Sequence, residues 1–133
     1  MAEYVELHCH SCFSFREGAS TPLELVLQAR KLDYPALALT DHDGLAGAME
    51  FAQTAKEWDV QPIIGAEITL RPSPPTPLPE GEGSSDRPVT QGAQQSGPHL
   101  TLLAETPRGY ANLSRLLSIA HLRARGASRR SIP

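Results

Sequence analysis

The chain has 133 residues, 40% hydrophobic and 20% charged, with a formal net charge of −3, an ordinary balance for one soluble domain or part of one. No apolar run approaches the ~20 residues of a membrane-spanning helix, and the start Met1-Ala2-Glu3-Tyr4 lacks the features of a secretion signal, so a cytoplasmic protein without membrane association is expected. Residues 1–70 carry 11 acidic and 4 basic side chains, whereas residues 71–133 carry 4 and 8, so the first half is a poor nucleic-acid surface and a suitable collector of metal cations.

Tyr4-Val5-Glu6-Leu7-His8 alternates in character and predicts a first strand. Thr21-Pro22-Leu23-Glu24 has capping-box spacing with proline at the first helical position, and Leu23, Val26, Leu27 and Arg30 follow on one face to about Asp33. Pro35 to Thr40 is a short apolar run, as expected of a strand buried on both faces. Leu45, Ala48, Met49, Ala52 and Ala55 predict a second helix, with Asp43 as its cap. Pro62 to Ile68 and His99 to Ala104 predict two more strands. Thr106-Pro107 then opens a last helix with Tyr110, Leu113, Leu116, Leu117 and Ala120 on its buried side, and His121 marks its C-terminus.

Strand–helix alternation indicates a parallel α/β architecture. The stretch 72–98 breaks it with seven prolines and four glycines, and reads as a disordered insertion between the last two strands. The chain then stops with too few elements to close a barrel and reads as truncated. Its final arginines, Arg123, Arg125, Arg129 and Arg130, read as a solvated tail rather than a nucleic-acid contact.

The chemistry lies where histidines and carboxylates fall. His8 and His10 end the first strand and project from one side of it, because strand side chains alternate. Glu17 follows in the next loop, His42 comes directly after the second strand, and Glu67 ends the third. The carboxyl ends of parallel strands form the ligand rim of α/β folds, so these residues converge by topology. Mixed imidazole and carboxylate donors suit zinc, manganese or iron. Each residue alone has a plainer role, as a solvated polar group or ion-pair partner; the shared placement favours a divalent metal site. Cys9 and Cys12 form a CxxC, but a zinc ribbon needs a second ligand pair, and Cys9 points away from His8 and His10. As free thiols of a reducing compartment they stay unpaired. Ser11 and Ser14 lack the glycines of a hydrolase nucleophile elbow.

His8-x-His10 with Ser11, Ser14 and Glu17-Gly18 resembles the first motif of the PHP (polymerase and histidinol phosphatase) domain. Thr40-Asp41-His42-Asp43-Gly44-Leu45 is similar to its second motif, and Gly65-Ala66-Glu67 to the segment with its bridging carboxylate. The runs His99–Ala104 and Gly109–Leu113 resemble the version at the N-terminus of bacterial DNA polymerase III alpha subunits. Glu6–Ser11 and Gly18-Ala19-Ser20 resemble its error-prone branch. The resemblance spans residues 4–71 and 99–122.

That resemblance implies part of a distorted (β/α)7 TIM-like barrel whose complete form holds a cluster of up to three metal ions. His8, His10 and Glu67 would bind one metal, Glu67 and His99 would share a second, and Glu17 and His42 would reach a third. Asp41 or Asp43 would orient these ligands from behind, which makes Asp41 the candidate catalytic assistant. His99 opens its strand, so its assignment comes from the family and not from topology. The implied chemistry is metal-dependent hydrolysis of DNA or another phosphoester in replication or translesion repair, beside a polymerase core. A further His or Cys and an Asp-x-His pair of the family cluster do not occur after His121, and the polymerase catalytic aspartates are absent. The alternatives are a catalytically silent structural module and a free-standing small phosphatase; a partial barrel would also expose apolar faces and favour self-association.

Overall fold

The computed structural model describes residues 4–70 and 97–129, with side chains to residue 124. The elements run α1 (Pro22–Lys31), β1 (Ala36–Leu39), α2 (Ala48–Glu57), β2 (Gln61–Thr69), β3 (His99–Leu103) and α3 (Pro107–Arg129). The expected first strand reduces to a single parallel bridge between Glu6 and Leu37. The proposed insertion, 72–98, lies outside the described residues except for Gly97 and Pro98.

Helix α1 begins as its sequence directs. Thr21 Oγ1 accepts from Glu24 N at 3.3 Å, while the Glu24 carboxylate accepts from Thr21 N at 2.8 Å. These reciprocal bonds satisfy two of the free N–H groups at a helix start. The helix buries Pro22, Val26 and Ala29, so Leu23 and Arg30 turn outward, contrary to the expected stripe. Helix α2 also differs from expectation. It buries Ala48, Phe51 and Ala55, leaves Met49 exposed, and has Gly47 as N-cap without a side-chain bond, so Asp43 is not its cap. Phe51 is the largest side chain in the core, and its burial outweighs the alanine and methionine pattern that suggested the other face.

All four residues of β1 are buried, as its unbroken apolar run requires. The main core joins Val26 and Ala29 of α1, Leu37 and Leu39 of β1, Phe51 and Ala55 of α2, and Val60. A smaller cluster packs Leu113 and Leu117 of α3 on Ala66 of β2. Tyr110, Leu116 and Ala120, expected on the buried side of α3, are exposed. His121 does not mark a C-terminus either. Helix α3 continues to Arg129, and the His121 ring donates from Nε2 to the Asp43 carbonyl at 2.7 Å, tying α3 to the loop after β1. Among the described residues no helix is long and apolar enough to cross a membrane.

The sheet order is β1-β2-β3, with β1 parallel to β2 but β3 antiparallel to it. This corrects the all-parallel expectation. The chain leaves at Leu70 and returns beside it, Leu70 N donating to Pro98 O at 2.9 Å. Parallel pairing needs a crossover to the opposite end of the sheet, whereas return at the same end enforces antiparallel pairing. The register sets Thr69 against His99 and Glu67 against Thr101. The described residues therefore form an α/β unit with a mixed three-stranded sheet, and that sheet does not itself trace a barrel.

Gly65 permits the close approach of β3. A Cβ there would lie 2.5 Å from the Leu102 carbonyl oxygen and 2.7 Å from Leu103 Cδ2. Gly65→Ala is expected to lower stability by ~1–3 kcal/mol through overpacking against backbone. Gly44→Ala, whose Cβ would meet only the His42 carbonyl at 3.6 Å, should be close to neutral. Thermal unfolding of the two variants checks this; equal midpoints would show that β3 does not pack on β2 in this register.

Candidate metal centre

Glu67 sits at the carboxyl end of β2 and is only 4% exposed. Its backbone is fixed on both sides, N donating to Asp41 O at 3.1 Å and O accepting from Asp43 N at 2.7 Å. The side chain meets three imidazoles. His8 Nε2 lies 2.6 Å and His10 Nε2 2.7 Å from Oε2, and His99 Nδ1 bonds Oε1. Burial works to raise the Glu67 pKa, but hydrogen bonds from His8, His99 and His10 and the charge of His8 outweigh it and hold the carboxyl at about 2. Antiparallel pairing explains His99: an N-terminal strand residue reaches the rim because β3 runs back along β2.

A second carboxylate–imidazole group adjoins the first. Glu17 Oε2 lies 2.6 Å from His42 Nδ1 and 3.7 Å from His10 Nδ1, so His10 stands between the two carboxylates. The four rings form a chain, with centroids 5.0 Å apart for His8–His10, 6.4 Å for His10–His42 and 4.9 Å for His42–His99. Partial burial works to lower the His42 pKa, yet the Glu17 hydrogen bond and charge, with Asp43 and Glu67 adding to them, push it up.

Asp41 touches none of these rings. Its buried carboxylate accepts from Ser11 N at 2.7 Å, Ser11 Oγ at 2.8 Å and Ser14 Oγ at 2.7 Å. Ser14 Oγ in turn accepts from His42 N at 2.9 Å. Both serines are almost fully buried, so Asp41 folds the His10–Gly18 loop onto β1 and carries Glu17 to His42. Gly18 closes that loop; a Cβ there would stand 2.1 Å from the Ser11 carbonyl oxygen. Asp43, with φ of 50°, turns its carboxylate to Thr69, accepting from its N at 3.1 Å and its Oγ1 at 3.2 Å. Thr69 also meets His42 Nε2. Sequence reasoning missed Thr69, although it lies two residues after Glu67 on the same strand face, the spacing that paired His8 with His10.

The cysteines stay outside this group. Cys9 packs against the main core, and burial first, then the charges of Glu6 and Asp41, push its thiol pKa up; Cys12 is exposed. The donor atoms of His8, His10 and Glu67 lie within 4.8 Å of one another, close enough to share one ion. Two imidazole nitrogens converge on one buried carboxylate oxygen, and something positive must sit between them. Protons fill that role in the free protein, and a divalent cation satisfies the same nitrogens and oxygen together. The donor set therefore fits a metal with mixed N/O preference.

The sequence matches the PHP domain family model over residues 6–132. It is 53% identical over 119 residues to an error-prone DNA polymerase of Mycolicibacterium paratuberculosis, covering 90% of this chain and 10% of that protein. It is 44% identical over 119 residues to an error-prone DNA polymerase of Symbiobacterium thermophilum, covering 90% of this chain and 9% of that protein. The chain thus spans about a tenth of the length of these relatives. An amidohydrolase from Chromobacterium violaceum, solved with bound sulfate and no metal, aligns with a TM-score of 0.55 at 25% identity over 98% of this chain and 40% of that one.

The low Glu67 pKa has a consequence for stability. The folded carboxyl titrates at about 2 against an ordinary 4.5, so as pH falls the unfolded chain takes up this proton first. The stabilisation is complete above about pH 4.5 and is lost as pH falls through about 2. Urea unfolding of chelator-treated protein across that interval should show stability falling more steeply than in Glu67→Gln. Parallel pH profiles would show that the imidazoles do not hold this carboxylate.

Proposed function

Since this chain belongs to the PHP domain family, we propose that it provides the metal-binding portion of a phosphoesterase centre within an error-prone type of DNA polymerase. The single observation that supports this most strongly is the Glu67 carboxylate clamped by His8, His10 and His99. In this reading His8, His10 and Glu67 would hold one divalent cation, Glu67 with His99 would hold a second, and Glu17 with His42 a third. Zinc, manganese and iron all accept such donors. A bound cation supplies Lewis acidity, lowering the pKa of water and neutralising charge on phosphoryl oxygens. The sheet would form one wall of a larger PHP-type barrel.

The protein's own residues supply position and charge. Asp41 is a positioning residue, acting through Ser11 and Ser14 on the loop that bears His10 and Glu17. The acidic excess of residues 1–70 repels phosphate, so the substrate approaches only when cations offset Glu17 and Glu67. A 3′-terminal nucleotide of DNA is the substrate proposed, the polymerase core the partner and the cytoplasm the location, a reading to which the polymerase relatives lend context. Their names give this reading its context, and the carboxylate–imidazole cluster gives it its chemistry.

Purified without chelator, the chain should carry at least one divalent metal by elemental analysis, and the His8→Ala/His10→Ala double variant should lose it. Metal content at background, or unchanged in the double variant, contradicts the proposal.

Hydrolysis of a 3′-terminal nucleotide by this chain alone should stay near background even with manganese or zinc added. Among the described residues the second and third cations have only two protein ligands each, and small misplacement of reacting groups can cost ~100-fold in rate. Robust turnover that disappears in His8→Ala would show that these ligands suffice.

A further inference from the structure

His42 has partners at both ring nitrogens, and the two sides differ in kind. Nδ1 faces the Glu17 carboxylate at 2.6 Å, with His10 Nδ1 3.7 Å from the same oxygen. Nε2 faces the Thr69 hydroxyl, with the Asp43 carboxylate behind it at 3.5 Å from the ring nitrogen. Thr69 is itself fixed, since Asp43 accepts both its backbone N–H at 3.1 Å and its hydroxyl at 3.2 Å. A hydroxyl that donates to Asp43 keeps its lone pairs for an incoming N–H. Asp43 is held in turn by its N–H bond to Glu67 O at 2.7 Å and by His121 on its carbonyl.

We propose that Thr69, backed by Asp43, is a positioning residue that keeps the proton of His42 on Nε2 and so presents Nδ1, beside Glu17, to a divalent cation. Glu17 and Nδ1 of His42 would hold the cation in place of the proton they share, which passes to solvent water, while Thr69 keeps the other proton on Nε2. The ring nitrogen that does not bind metal is commonly fixed by a hydrogen bond of this kind, and losing such a bond costs ~10–100-fold in metal affinity. Because Thr69 is the last residue of β2 and its register partner is His99, one strand end serves both groups: Glu67 as ligand, Thr69 as support. This inference rests on the reading that Glu17 and His42 hold a cation.

The test is a zinc titration of the full chain labelled with nitrogen-15 in histidine, following both ring nitrogens of His42 by NMR above the imidazole pH range. Zinc should shift Nδ1 while Nε2 keeps its proton. Thr69→Val, which keeps the backbone bond to Asp43 but lacks the hydroxyl, should weaken this response ~10–100-fold. Thr69→Ser should behave as the unsubstituted chain, and His8 and His10 should respond to zinc equally in all three. Zinc on Nε2, a Thr69→Val titration like that of the unsubstituted protein, or equal losses in Thr69→Val and Thr69→Ser would each overturn the proposal. Should Thr69→Val fail to fold, the nitrogen bound in the unsubstituted protein decides alone. Glu17→Ala separates the two levels. If it leaves the His42 response intact, the Glu17–His42 cation pair is wrong and the role of Thr69 falls with it. If it abolishes the response while Thr69→Val does not, only the role of Thr69 fails.

Discussion

A buried carboxylate that must not be left unpaired organises this protein. Glu67 is 4% exposed at the end of a strand, where an uncompensated charge would cost several kcal/mol. Compensation comes from His8, His10 and His99, which reach it from two different segments of chain. Bringing those segments together requires the pairing of Glu6 with Leu37, the parallel β1–β2 pair and the antiparallel β2–β3 pair. The fold around β2 thus serves to concentrate imidazoles on one oxygen pair. A cation site is the same arrangement with the intervening protons exchanged for metal.

The supporting groups follow one pattern, in which a carboxylate holds hydroxyls and a hydroxyl holds the ligand segment. Asp41 binds Ser11 and Ser14, and Ser14 receives the His42 backbone N–H. Asp43 binds Thr69, which meets the His42 ring. Small hydroxyl residues suit this task because they satisfy a buried carboxylate without placing a competing cation near the site. Among the buried polar residues are Ser11, Ser14, Asp41 and Glu67, and no described buried side-chain N or O lacks a partner. Fully satisfied networks of this sort fix a single geometry.

What the sequence reveals depends on whether the deciding interaction is local. The α1 cap and the buried run of β1 are local features, and both stand as read from Thr21–Glu24 and Pro35–Thr40. His8, His10, His42 and Glu67 are legible because they end consecutive strand-like segments. His99 is not, since only the antiparallel return beside Leu70 places a strand's first residue at that rim. Thr69 was hidden for another reason: a threonine in a strand is unremarkable until Asp43 abandons its expected helix cap to bind it. The helix faces failed where one large side chain decided, as Phe51 did over Met49. His121 was misjudged because its role is set by the distant Asp43 carbonyl rather than by its place in α3.

The central claim is that nitrogen and oxygen, not sulfur, hold a cation at the end of β2. X-ray absorption at the zinc edge of the zinc-loaded chain addresses this directly. The account predicts a shell of nitrogen and oxygen at ~2.0–2.2 Å with the outer scattering of imidazole rings. A sulfur shell at ~2.3 Å would place the metal on Cys9 or Cys12 and contradict it.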